Sequence, residues 1–394
     1  MDAEADSSAL YGRTDKSGGL RVAVAEGRAE LERLREQWTA LASNAVEPNI
    51  FLEPFQVLPA LDAFGSGKEL SFLCVFGPDT GNTDRERLVG FVVFERRRSF
   101  RGWPVDILCV WQNPHLFLST PLIHKNAPRE VWKAIFEWCR SSPRGATLLE
   151  FPSLLAEGPS YEALVDALWE EALLSHSVEH YTRALLLVSD QDAQRSRMEQ
   201  LSGSRRSQMR RKLKRLGELG RVEFKVLQAD GDVGRWVSDL LELEARGWKG
   251  KEGTAMLCRS EDASYFRAIC QSAFAAGRLH MPALFLNDRP IAMKCNFLCN
   301  NGVFWLKVAY DEELGKFSPG MLLEAENVED VSRMRGIQWM DSCTAPKSYC
   351  DELWGDRRSI QHLLIETGKR RGKLCLGLFA LLRSLKRSSA KRTS

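Results

Sequence analysis

The residues best suited to chemistry in this 394-residue chain are cations set into apolar or glycine-punctuated runs, with one carboxylate closing a strand-like run. Lys249 and Thr254 lie in GWKGKEGT, where Gly250 and Gly253 let the backbone approach a ligand. Two readings are open there: solvated loop residues, or a cleft in which Lys249 serves catalysis and Thr254 meets substrate. Lys294 (IAMKCNF) and Lys307 (WLKVAY) interrupt apolar runs. A mid-strand charge is rarely fully buried unless paired. Each therefore faces outward on a half-exposed sheet or points into a cleft to meet a phosphate or carboxylate. Asp341 ends IQWMD beside Ser342. It either caps its own turn or acts as base toward a nucleophile, directly or through water. In LWGDRR, Trp354, Arg357 and Arg358 offer an aromatic–guanidinium wall with bidentate reach to an anion. The alternative is a core Trp354 with arginines paired to acids such as Asp356.

Positive charge is concentrated in SGSRRSQMRRKLKRLGELG, residues 202–220. Ser202 to Arg215 holds seven Lys or Arg and no acid, in a chain of net charge +3. Lys369 to Arg392 adds nine basic residues and no acid, so the remainder is net acidic. Charge localised in this way argues against a general nucleic-acid coat and for one or two defined anionic contacts. On a helical wheel Met209, Leu213 and Leu216 share one side. Arg205, Arg206, Arg210, Arg211, Lys212, Lys214 and Arg215 cover the rest. The segment reads as a docked amphipathic helix whose basic face is either solvated or receives a phosphorylated or lipid-linked substrate.

Other chemistries are excluded by pattern. No Ser-His-Asp order, P-loop or G-x-G-x-x-G occurs. The ten cysteines are scattered in apolar runs, where free Cys behaves as a small hydrophobe. Cys295 and Cys299 lack a complementary Cys/His pair at zinc spacing, so no metal is expected. Cys343 has no neighbouring His and reads as structural. No apolar run approaches the roughly 18–20 residues that span a bilayer. Residues 1–19 are acidic and polar, and read as a disordered leader rather than a secretion signal. A cytoplasmic chain is expected.

These side chains need a scaffold larger than one ordinary core, so two domains are expected. In the first half, helical periodicity at 28–44 precedes strands at 69–77, 87–100 and 103–112. A helix at 127–142 with Pro128 in its first turn, a strand at 146–154 and a helix at 160–175 follow. The second half repeats this order. Helices at 204–219, 232–248 and 263–277 flank a strand at 221–228. Strands at 278–286, 289–299 and 303–310 form a meander with Asn-Asp and Asn-Asn-Gly at the turns. A helix at 318–336 starts on Pro319 and stops at Gly336, and strands at 337–343 and 359–366 close the pattern. The class is α+β, with two mixed, mostly antiparallel sheets flanked by helices.

Helices, an antiparallel meander, then a helix feeding a central strand is the element order of the N-acyltransferase (GNAT) fold, here met twice. The residues carry a closer resemblance. LEARGWKGKEGTAML (243–257), FSPGMLLEAENVEDVSRMRGIQWMDSC (317–343) and LWGDRR (353–358) resemble signatures of the CelD/BcsL-type acetyltransferases, a GNAT subgroup associated with bacterial exopolysaccharide and cellulose gene clusters. LREQWTALA and NIFLEPFQVLPAL resemble that family's opening. The resemblance spans about residues 20–366 and is more specific in the second half. It implies a tandem GNAT fold with halves 20–185 and 186–366 and a tail 367–394. It also implies acetyl (acyl) transfer from acetyl-CoA (acyl-CoA), without metal, to an amine or hydroxyl of an exopolysaccharide or cell-envelope precursor. The acceptor would be an anionic sugar- or lipid-linked molecule, and no specific nucleic acid would be bound. The related Fem-type aminoacyltransferases share the architecture and use aminoacyl-tRNA, which makes that the alternative donor. A non-catalytic GNAT pair that binds a ligand or partner is a third reading.

One motif departs from the family. The pyrophosphate loop R/Q-x-x-G-x-G/A is replaced by DEELGKFSPG (311–320), which keeps Gly315 and Gly320 without that spacing. The helix N-terminus from Ser318 still offers free N–H groups and a positive dipole end. Ser318 and Gly320, with Lys307, are the expected cofactor contacts. Lys294, Thr254, Trp354, Arg357 and Arg358 join the basic helix as expected substrate contacts, and Asp341 and Lys249 are the expected catalytic pair. The leucine-rich basic tail 368–394 is too short to span. It suits peripheral contact with an anionic membrane at its inner face, or forms a docked terminal helix.

Overall fold

The computed structural model describes residues 15–17, 19–79, 86–188, 203–346 and 348–390. They form two compact units. Unit one comprises the chain up to Leu58, Gly65–Tyr181 and everything from Ser359. Unit two comprises Pro59–Phe64 and Thr182–Arg358.

Unit one opens with β1 (Asp15–Ser17), β2 (Leu20–Ala25), α1 (Arg28–Arg33), α2 (Arg35–Ser43) and α3 (Pro54–Phe64), whose C-terminal half, Pro59–Phe64, belongs to unit two. Then follow β3 (Leu70–Pro78), β4 (Glu86–Arg97), β5 (Ile107–Val110), β6 (Leu122–Ile123), α4 (Pro128–Ser141), β7 (Leu148–Leu155), α5 (Pro159–Glu170) and the start of β8 (Ser175–Leu187). The strand order is β1-β2-β3-β4-β5-β7-β15, where β15 (Asp356–Glu366) pairs antiparallel with β7 from Ile360–Leu155 to Glu366–Leu148. One pair, β5–β7, is parallel, and α4 makes the crossover it requires. Val131, Trp132, Ile135, Phe136 and Cys139 of α4 are buried against Val22, Leu73, Phe94 and Phe151. Each large side chain so buried contributes about 1.5–3 kcal/mol. Trp132 also satisfies its indole by donating to the Ser160 carbonyl at 3.2 Å.

Unit two repeats the device. It contains α6 (Gly203–Gly217), β9 (Val222–Val226), α7 (Val233–Arg246), α8 (Trp248–Lys251), α9 (Ser260–Ala275), β10 (Leu279–His280), β11 (Pro282–Leu286), β12 (Arg289–Cys299), β13 (Gly302–Tyr310), α10 (Pro319–Arg333) and β14 (Trp339–Asp341). The order is β8-β14-β13-β12-β11-β9, with the end of β8 antiparallel to β14. Again one pair, β13–β14, is parallel, and α10 crosses between its strands. The class is α+β, as the element pattern indicates.

Several elements differ from the sequence reading. Ser175–Leu187 is a strand where none is expected, because its first half mixes polar and apolar residues without clean alternation. The strand at 359–366, expected with the second half, hydrogen-bonds to β7 of unit one. A run such as Ile360–Glu366 announces burial but not a partner two hundred residues away. In the leader, Asp15–Ser17 pairs with β2, and residues 1–14 lie outside the described residues. In the tail, α11 (Gly372–Ala390) packs Leu376 and Phe379 onto unit one. Among the described residues no helix is long and apolar enough to cross a membrane.

Candidate functional site

The parallel β13–β14 ladder runs over only three pairs, from Gly302–Trp339 to Phe304–Asp341. On its other edge, the β12 register shifts between Cys295 and Asn296, which leaves Leu306 as an extra residue in β13. Such a bulge re-aims the side chains beyond it. Lys307 turns to α7, while Val308 and Tyr310 turn to a chiefly apolar cavity of about 230 Å³. Gly315, Ser318, Gly320, Met321 and Tyr349 complete its lining. α10 begins at this wall, with Pro319 at its first position and Ser318 in the left-handed region at φ 52°. A Cβ on Gly320 would stand 3.3 Å from the Tyr310 ring, so glycine keeps the wall open. The Tyr349 hydroxyl is buried at this wall, beside Cys350. Burial first, then nearby Glu324, raises its pKa, so it carries its proton at neutral pH.

The basic helix α6 docks on this region. Met209 and Leu216 are buried among Leu284, Ile291, Phe317, Leu322 and Leu323. Leu213, expected on the same side, is 40% exposed. Lys212 donates from Nζ to Ser318 Oγ at 2.6 Å. The sequence places Lys212 on the basic face but does not single it out. Its turn of helix, one residue short of the Leu213 position, was the available signal. Arg210 and Arg211 are exposed, Arg206 is half-buried, and the Arg205 side chain lies outside the described residues.

Lys294 neither faces outward nor lines a cleft. It is wholly buried and ion-paired with buried Glu324 of α10. Its ammonium lies 4.0 Å from the Trp305 ring centroid and 5.5 Å from that of Trp354. Trp354 Nε1 and Asn327 Nδ2 each donate to Glu324 Oε1 at 3.2 Å. This cluster fastens α10 to β12. Trp354 is therefore core, and neither it nor Lys294 is open to an external anion.

A second charged cluster lies on the α7 side. Glu244 accepts from Lys307 at 2.8 Å, from Lys249 at 3.1 Å and from the Met256 amide at 3.0 Å. Burial, the largest influence, would raise the Glu244 pKa, but Lys307, the Met256 amide and Lys249 together outweigh it and the net shift is downward. Burial lowers the Lys307 pKa, which Glu244 only partly restores. Lys307 thus stands apart from Ser318 and Gly320, the residues with which the sequence groups it. Thr254 is exposed and bonds back to the Lys249 carbonyl at 3.3 Å. Nothing in the sequence marks Glu244, which holds both lysines, because it sits on an ordinary amphipathic helix.

Asp341 corrects another expectation. It is fully buried and accepts from Arg183 at 2.7 Å, Arg358 at 2.9 Å and the Cys343 amide at 2.9 Å. Burial would raise its pKa, but the two guanidinium groups hold it below the usual carboxylate range. A carboxylate so occupied is a poor proton acceptor, and the Asx-type bond to Cys343 is the turn cap that the sequence left open. Arg358 also covers the Trp339 ring at 4.3 Å. Arg357 donates to the carbonyls of Trp354, Asp356 and Asp351. Among the described residues, no group of three or more His, Cys, Asp or Glu is placed to hold a metal ion.

Residues 203–350, from α6 to the Tyr349 wall of the cavity, match the family model described as an acetyltransferase (GNAT) domain. Over those residues unit two is similar to a GNAT acetyltransferase domain. The reaction class this supports is acyl transfer. No curated protein matches the sequence. Among solved structures the chain is similar to FemX at 10% identity and TM-score 0.54, over 84% of this chain and 95% of that one. It is similar to the C-terminal domain of a protein named as a lysylphosphatidylglycerol synthetase from Agrobacterium fabrum, at 12% identity and TM-score 0.52, over 89% and 96%. A conserved protein of unknown function from Bacteroides thetaiotaomicron gives 10% identity and TM-score 0.51, over 87% and 99%. At such identities the likeness establishes fold alone: the chain shares its α+β fold with these structures.

Proposed function

We propose that the chain takes an acyl group, in the simplest case acetyl, from acyl-CoA and passes it to an amine or hydroxyl of an anionic sugar- or lipid-linked precursor. The observation that carries this reading is the apolar cavity whose wall is the N-terminal turn of α10, with Lys212 bonded to Ser318 there. Amides at a helix N-terminus and a lysine make an anion site. They would hold the pyrophosphate of the donor in place of the absent glycine-rich spacing. The apolar walls suit the pantetheine arm and acyl group.

The thioester carbonyl would lie against β13 N–H groups beyond Phe304, where pairing with β14 ends. Donors placed there stabilise the oxyanion of the tetrahedral intermediate. The acceptor nitrogen or oxygen bonds to the carbonyl carbon. The C–S bond then breaks, and the thiolate leaves with a proton to give CoA. With Asp341 occupied by two arginines, the acceptor proton passes to water, and positioning supplies most of the rate. The protonated Tyr349 hydroxyl is a donor available to a polar atom of the bound acyl-CoA. The resemblance of 243–257, 317–343 and 353–358 to CelD/BcsL-type acetyltransferases supports an exopolysaccharide or envelope precursor as acceptor.

The exposed basic face of α6 also suits a polyanionic donor, which keeps aminoacyl-tRNA as the second reading. Calorimetry of the full chain with acetyl-CoA, CoA and an aminoacyl-tRNA separates them. Binding of acetyl-CoA and CoA is expected. Binding of the tRNA alone would move the assignment to aminoacyl transfer. Silence with all three would leave a ligand-binding pair without this chemistry.

A further inference from the structure

Helix α11 buries one face and leaves the other bare. Leu376 is 3% exposed and, with Cys375 and Phe379, packs on Phe100, Ile107, Leu148 and Leu364. On the opposite side Leu374, Leu378 and Leu381, spaced four and three, are 75%, 46% and 58% exposed. That spacing makes one continuous apolar stripe. Scattered single leucines on a surface are ordinary, but an aligned stripe on one helix face is not.

Two further features adjoin it. The turn Phe100–Trp103 is closed by reciprocal backbone bonds of 2.9 Å, and its Phe100 ring packs 5.1 Å from Phe379. That contact sets Trp103, 43% exposed, and exposed Arg101 beside α11. At the start of the helix Arg370, Arg371 and Lys373 are exposed, and from Thr367 to the C-terminus the sequence has no acid. Apolar stripe, tryptophan and basic rim lie on one unit and need no contribution from the other.

We infer that this surface docks on an anionic lipid bilayer. Leucines of an amphipathic helix enter the acyl boundary, basic side chains on the polar side meet lipid phosphates, and tryptophan settles at the headgroup level. The charge complementarity selects a bilayer over a second copy of the chain, because two such surfaces face to face would oppose like charges. The helix lies in the interface and does not span it. This inference is independent of the donor assignment. It would bring the enzyme to the surface where a lipid-linked acceptor resides.

Co-sedimentation of the full chain with phosphatidylcholine vesicles, and with vesicles of phosphatidylcholine and phosphatidylglycerol at about three to one, tests it. The wild type is expected to pellet with the anionic vesicles and far less with the neutral ones, and to be released by high salt. Leu374→Gln/Leu378→Gln/Leu381→Gln should lower the partition coefficient at least about tenfold with the melting temperature unchanged. Arg370→Glu/Arg371→Glu, which leaves the stripe intact, should do the same. A wild type that stays in the supernatant, or either variant binding like the wild type, would overturn the inference. So would a dimer, seen by light scattering, that the leucine variant splits, since the stripe would then belong to a second copy.

Discussion

Lys212 Nζ lies 2.6 Å from Ser318 Oγ, and this bond ties the basic helix α6 to the residue from which α10 starts. Lys212→Ala removes the cation from the proposed pyrophosphate site without opening a core. A charge-assisted bond of about 1.5–2 kcal/mol corresponds to a loss of about ten- to thirtyfold in affinity. Calorimetry should show acetyl-CoA binding weakened by that factor, with a melting temperature close to wild type.

Arg210 and Arg211 are exposed on the same helix. Their charge reversal should raise the KM for an anionic substrate, leave kcat within about twofold and leave stability unchanged. The effect should shrink as salt rises, because exposed charges act over about 8–10 Å at ordinary ionic strength. Steady-state kinetics at two salt concentrations check both parts. An unaltered KM returns these arginines to a solvated face.

The Asp341 carboxylate gives a pH dependence of definite sign. Its folded pKa lies below its unfolded value of about 3.9. The stabilisation is therefore fully present above about pH 4 and is lost as the pH falls through the folded value. Asp341→Asn should cost about 3–5 kcal/mol at neutral pH by leaving Arg183 and Arg358 without their anion. Its melting temperature should also depend less on pH below 4 than that of the wild type. A variant as stable as wild type but lacking turnover would restore the general-base role.

Lys294 and Glu324 should behave as a unit. Lys294→Met alone strands a buried carboxylate and should cost about 3–5 kcal/mol. Lys294→Met/Glu324→Gln keeps an acceptor for Trp354 and Asn327, and should recover part of that loss. Denaturant unfolding of the two variants measures the difference.

Much of this architecture is legible in periodicity and turn chemistry. The meander, the Pro319 start of α10 and the docked α6 follow from local rules that the tertiary structure does not overrule. What stays hidden are partners distant in sequence. Glu324 looks like one acid on a helix with several, and only the fold brings it to Lys294. Lys307 looks like a neighbour of Val308 and Tyr310. Alternation puts it on the opposite face, and only the fold brings Glu244 of α7 there to meet it. Asp341 shows the same limit, because neither Arg183 nor Arg358 is near enough in sequence to mark it as paired.

The cavity beside α10 as donor site is tested most directly by filling it. Gly320 faces Tyr310 across 3.3 Å from an added Cβ, so a leucine there would occupy the space between Val308, Tyr310 and Met321. Acetyl-CoA titrated calorimetrically into wild type and Gly320→Leu should bind the first and fail to bind the second, with both chains showing the same circular dichroism. Acetyl-CoA binding equally to both would place the donor elsewhere.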